Sequence, residues 1–247
     1  MPRYNSWYLS FALGLVTLSL VLYMFHYFIF RDSHHILSGL LEEIAFVPIH
    51  VLLITLIIDR LLNERDKRAT YSKLNMVVST FFSELGTPLL KILPSFDQQP
   101  DKLCNELLID ARWSDKHFYR VRQLVHRGDL RMESTKGDLH ELRTLLMSQK
   151  DLLLRLLENP SLTEYETFTD LMLAVFHLCD ELSLRDNLDK LPQADYEHLS
   201  QDIRRVYIRL IGEWLRHMNH LQRDYPYLFS LAVRVNPFDP NSSPIVK

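Results

Sequence analysis

Apolar positions crowd the N-terminal part of the chain and then thin into a helical rhythm. Residues 7–30 contain no Asp, Glu, Lys or Arg. As a helix rising about 1.5 Å per residue they reach roughly 36 Å, enough to cross a hydrocarbon core of about 30 Å with some tilt. A second stretch, 44–58, is shorter and draws on Leu40, Leu41, Leu61 and Leu62 to complete a span. It is apolar on every face apart from His50 and Thr55. The pattern predicts a tight transmembrane hairpin with spans at about 7–30 and 42–62. Pro48 then falls in the first turns of the second helix, where a missing N–H costs least. Cleavage as a signal peptide is not expected, because Arg3 is the lone basic residue ahead of the first span and that span ends in bulky residues such as Phe25, Tyr27 and Phe30.

Charge orients the hairpin. The connecting segment has Arg31 against Asp32, Glu42 and Glu43, whereas Arg60, Arg65, Lys67, Arg68 and Lys73 follow the second span. The positive-inside rule places both termini in the cytoplasm of a multi-pass protein of the cell (inner) membrane. Trp7 and Tyr8 at one edge, with Tyr23 and Tyr27 toward the other, suit aromatic belts.

From Leu61 onward the apolar spacing is helical almost throughout. A segment of about 61–93 continues the second span and breaks at Gly86, Thr87 and Pro88 or at Pro94. Further helices are expected at 101–127, closed by Gly128, at 137–158, at 161–184 with Ser161 and Glu164 as a capping box, and from Pro192 to about Arg223. Residues 231–235 are the one strand-like scrap. The fold class is therefore all-α: a two-helix transmembrane hairpin (1–62), a cytoplasmic bundle of four to five helices (63–235) and a C-terminal tail (236–247). The C-terminal stretch 225–240, dense in aromatics and prolines, is expected to dock on the chain's own core.

Composition removes several kinds of chemistry. A net charge of −3 with mixed patterning gives no footprint for nucleic acid. Cys104 and Cys179 stand far apart and outside any CxxC, so neither a disulfide nor a zinc framework is expected. The six glycines are dispersed, and no phosphate-cradling loop can be drawn from them. Residues 80–93 look like the phosphoacceptor helix of sensor histidine kinases, but Ser83 occupies the place of the phosphorylated His.

The residues left to carry chemistry are few. His26 and His50 lie near the outer boundary of the two spans, where facing imidazoles suit a haem, a metal ion or a quinone head group. His34, His35, Glu42 and Glu43 crowd the outer loop, a set that suits zinc or copper. Glu213, His217 and His220 share a stripe of the last long helix, expected to be a solvated face. Cys179, flanked by His177, Asp180 and Glu181, is expected in the core and not in thiol catalysis.

Three stretches, EIAFVPIHVLLITLIIDRLL at 43–62, NMVVSTFFSELG at 75–86 and YPYLFSLAVRVNPFDP at 225–240, resemble uncharacterised prokaryotic membrane proteins with two N-terminal transmembrane helices and a helical cytoplasmic domain. The resemblance supports the architecture and implies no activity or site residues. The expected function is a non-enzymatic, membrane-anchored interaction or scaffold protein, with the lipid bilayer and either its own copies or a cytoplasmic protein as partners and no resident cofactor. The rival expectations are a haem-, metal- or quinone-binding subunit built on His26 and His50, and an oligomeric pore or gating subunit.

Overall fold

A computed structural model of the chain describes residues 6–30, 33–128, 130–160, 162 and 165–246, with backbone alone at 6–10, 12, 30, 33–37, 40 and 62–73. Among these residues the protein is all-α, with one isolated antiparallel bridge, Asp97 to Met132, and no strand. Contacts divide the chain into two units, Met1–Lys67 and Arg68–Lys247.

The first unit holds α1 (Ser6–Phe30) and the start of α2 (Ser33–Phe81). Leu and Ile side chains along α1, and from Leu41 to Leu61 along α2, are exposed around the helix circumference. Helix α2 begins well before the expected residue 42. The stretch 33–43 carries three Leu and two Glu, which favour helix, and Gly39 is its one strongly unfavourable residue. Pro48 consequently sits inside α2 and not in its first turns, leaving the Ile44 carbonyl without its usual donor. Thr17 on α1 donates its hydroxyl to the Leu13 carbonyl at 2.8 Å. The Tyr23 hydroxyl donates to Glu43 at 2.8 Å and ties α1 to α2.

In the second unit the last turns of α2 continue through a wide turn at Phe82–Gly86 into α3 (Thr87–Ile92) and a 3-10 turn at Leu93–Phe96. Pro88 does not break the helix. It has no N–H for the Glu84 carbonyl and its ring presses on that group, so the turn widens and Thr87 N–H bonds to the carbonyl of Phe82, five residues back. Leu74, Val78, Phe81, Leu85, Leu89 and Phe96 keep their helical stripe in the core through this irregularity.

The unit is cut into more and shorter helices than a four- to five-helix bundle. The expected helix at 101–127 is two, α4 (Pro100–Glu106) and α5 (Asp115–Arg127), because Leu107 and Ile109 turn into the core between them. The expected helix at 137–158 is split at Gln149 into α6 (Leu139–Ser148) and α7 (Lys150–Leu157). Asp138 caps α6, accepting from the N–H groups of His140 and Glu141 at 2.8 and 3.0 Å. Helix α8 (Glu166–Ser183) starts after the expected capping box, whose Ser161 and Glu164 lie outside the described residues.

Helix α9 (Gln193–Asp224) is the centre of the unit, packed by α8, α5, α3 and α10 (Pro226–Arg234). Helix α10 replaces the expected strand-like scrap, Pro226 opening it where a proline nitrogen needs no acceptor. The tail docks on the core: Phe238 meets Trp214 edge-on, with ring centroids 5.1 Å apart, and the Asn236 side chain donates to the Leu107 carbonyl at 2.9 Å.

Two glycines should respond oppositely to a methyl group. A Cβ on Gly86 would sit 2.5 Å from Phe82 Cδ1 and 2.9 Å from Phe81 Cε1, both rings being buried. Gly86→Ala should therefore cost about 1–3 kcal/mol in chemical unfolding of the purified chain. Gly212→Ala, whose Cβ meets nothing nearer than His126 Nε2 at 3.6 Å, should be neutral or raise stability by about 0.5–1 kcal/mol.

Candidate functional site

The predicted site residues of the first unit all stand on α1 and α2. His26 is partly buried, the one side chain described along α1 that is not exposed. His50 is exposed, its ring edge-on to Phe46 with centroids 4.9 Å apart. Glu43 accepts from Tyr23 and Glu42 is exposed. The side chains of His34 and His35 lie outside the described residues. All four members of that group stand on helical backbone rather than in a loop, which spaces His34 and Glu42 about 12 Å apart along the axis.

A different cluster joins α8 to α9. His177 and Glu181 share one face of α8 at a spacing of four, and His198 and Asp202 share one face of α9 at the same spacing. His177 Nε2 lies 3.4 Å from Asp202 Oδ2 and 3.7 Å from Glu181 Oε1. His198 Nε2 lies 3.3 Å from Asp202 Oδ2 and 3.6 Å from Glu181 Oε2. The Asp202 side chain is 1 % exposed, and its Oδ1 is 2.8 Å from Arg205 Nη1. Arg185 grips Glu181 at 2.7 Å and Asp195 at 2.6 Å. That guanidinium, aided by the two imidazoles, holds the Glu181 carboxyl below its ordinary value.

A second polar region lies between α5, α8 and α9. A depression of about 260 Å³ is lined by His126, Thr167, Asp170, Arg209, Glu213 and Arg216. Glu213, 2 % exposed, is ion-paired to Arg216, which also donates to Thr167 at 3.0 Å. Burial, reinforced by Arg216, Arg122 and Arg209, lowers the His126 imidazole from its usual value.

The Glu213 stripe is thus not the solvated face expected of it. Neighbours cover α9 on several sides: Glu213 is buried, His220 is ion-paired to Asp224 at 2.7 Å, and His217 stacks on Phe82 with centroids 5.2 Å apart. Cys179 is buried in the core, as expected. Sequence reasoning passed over His198 and Asp202. The signal was available as His-x-x-x-Glu and His-x-x-x-Asp on consecutive helices, but only packing shows that the two faces meet.

Residues 70–234 match the family model described as the C-terminal helical domain of uncharacterized protein MJ1433, and residues 3–62 match the model of its N-terminal helical domain. Uncharacterized protein MJ1433 of Methanocaldococcus jannaschii is 46 % identical over 239 residues, 97 % of this chain and 96 % of that protein. No solved structure matches the chain.

His217 makes the stability of the second unit depend on pH. Burial, and secondarily His220, push its imidazole down to about 4 from an ordinary 6.5. As pH falls through that interval the unfolded chain takes up the proton first, so stability is fully present above 6.5 and is lost toward 4. The loss should reach up to about 3 kcal/mol in urea unfolding. His217→Phe, which keeps the stack on Phe82, should flatten the dependence. An equally steep fall in that variant would assign the effect elsewhere.

Proposed function

The chain belongs to the MJ1433 family, whose N- and C-terminal helical domains it carries, and on that architecture we propose a non-enzymatic, membrane-anchored interaction protein. The observation that carries the reading is the belt Leu41–Leu61 on α2, 21 residues long and wholly unburied. At about 1.5 Å per residue it measures roughly 32 Å, matching a hydrocarbon core. In water that continuous apolar circumference would be strongly unfavourable; in lipid it is the ordinary exterior of a spanning helix. Helix α1 offers a similar exterior, and Tyr23 bonded to Glu43 supports a hairpin.

Lys and Arg after the second span support a cytoplasmic location for the larger unit. Its described residues form no glycine-rich phosphate loop, and α10 presents exposed Tyr227, Leu228 and Leu231 beside buried Phe229. Such a surface suits contact with a second copy or a partner protein. His26, partly buried on α1, favours a second reading in which it and His50 hold a haem, metal or quinone. The absorbance spectrum of protein purified from haem-replete cells decides between the two.

The chain should stay in the membrane pellet through carbonate extraction, and a reporter fused after Lys247 should be active only in the cytoplasm. Cross-linking in native membranes should give species larger than the monomer. Release by carbonate would remove the anchor; a reporter active outside would invert the topology.

A further inference from the structure

We propose that His177, His198 and Asp202, with Glu181 beside them, bind a divalent transition-metal ion of the zinc class across the α8–α9 contact. Among the described residues this is the one place where three or more metal-ligating atoms lie within 4.8 Å of one another. The donor set, two imidazoles and one carboxylate with a fourth position for water, is one zinc accepts. Zinc–nitrogen and zinc–oxygen bonds of about 2.0–2.1 Å make a tetrahedron with edges of roughly 3.3–3.4 Å. Asp202 Oδ2 lies 3.3 and 3.4 Å from the two imidazole nitrogens, which are edges of that tetrahedron as they stand. Glu181 approaches the imidazoles with a different oxygen each, Oε1 at 3.7 Å from His177 and Oε2 at 3.6 Å from His198, and stands beside the three ligands.

Burial supplies an independent reason. Asp202 is 1 % exposed, and its Oδ2, aimed at both imidazoles, accepts no hydrogen bond. A buried carboxylate oxygen without a donor is costly, and a cation placed between it and the two Nε2 atoms removes that cost. The outer contacts are also in place. Arg205 lies against Asp202 Oδ1 and Arg185 holds Glu181, which orients the carboxylates as partners of ligating groups do. The two histidines are about half exposed, so an ion can reach the site from solvent.

The test uses the full chain, stripped with a chelator and titrated with Co²⁺. About one equivalent should bind with the intense visible absorption of low-coordinate cobalt, and Zn²⁺ should displace it. His177→Ala and His198→Ala replace half-exposed side chains and should each weaken cobalt binding by more than about 10-fold with the far-ultraviolet helical signal unchanged. A His34→Ala/His35→Ala double variant should bind as the parent does. Absence of a cobalt spectrum, or binding that survives both His177→Ala and His198→Ala, overturns the proposal. So does binding lost only in the His34/His35 variant, which would move the ion to α2.

Discussion

Helix α9 is enclosed by α8, α5, α3 and α10, and that enclosure sets the terms for the rest of the second unit. Its apolar residues, among them Ile203, Tyr207, Leu210 and Trp214, reach the centre of the core. Its polar residues go in with them, because a helix covered on several sides has little face left for water. Each buried carboxylate therefore draws a cation from nearby: Glu213 takes Arg216, and Asp202 takes Arg205. An unpaired carboxylate there would cost several kcal/mol, at least about 3 by the measured effect of breaking buried pairs. The same helix reaches out to its surroundings, as Gln222 donates to the carbonyls of Ala111 and Trp113, both at 3.0 Å.

Helix α2 carries two kinds of apolar surface. Between Leu41 and Leu61 the side chains are exposed on every side, whereas the apolar stretch Leu74–Phe96, which runs from the last turns of α2 through α3, is partly buried in the core. Composition alone does not separate an exposed apolar helix from a core helix; the distribution of burial around the axis does. The wide turn at Phe82–Gly86 belongs to the second kind. It absorbs Pro88 without turning Leu85 or Leu89 out of the core.

Much of the fold was legible in local pattern. The all-α class, the limits of α9 and the inward face of α8, with Phe168, Leu171, Val175 and Leu182 buried, follow from apolar residues recurring at helical spacing. The candidate sites were less legible. The histidines of the apolar stretches are conspicuous in the sequence, and the segment that reads as an outer loop is helical in α2. His198 and Asp202 read as ordinary solvated residues until α8 and α9 are laid side by side.

Determined by the sequence itself were the helical periodicity, the placing of the apolar belts, the cap at Asp138 and the start of α4 at Pro100. Each depends on residues within a turn or two of one another, so the chain's order suffices. Tertiary structure decided the break between α4 and α5, the conversion of 231–234 to helix and the meeting of His177 with Asp202. In those cases the deciding partner is distant along the chain: Asn236 answers the Leu107 carbonyl, Trp214 receives Phe238, and one buried carboxylate gathers two imidazoles from different helices. Contacts of that kind exist only once the helices have packed.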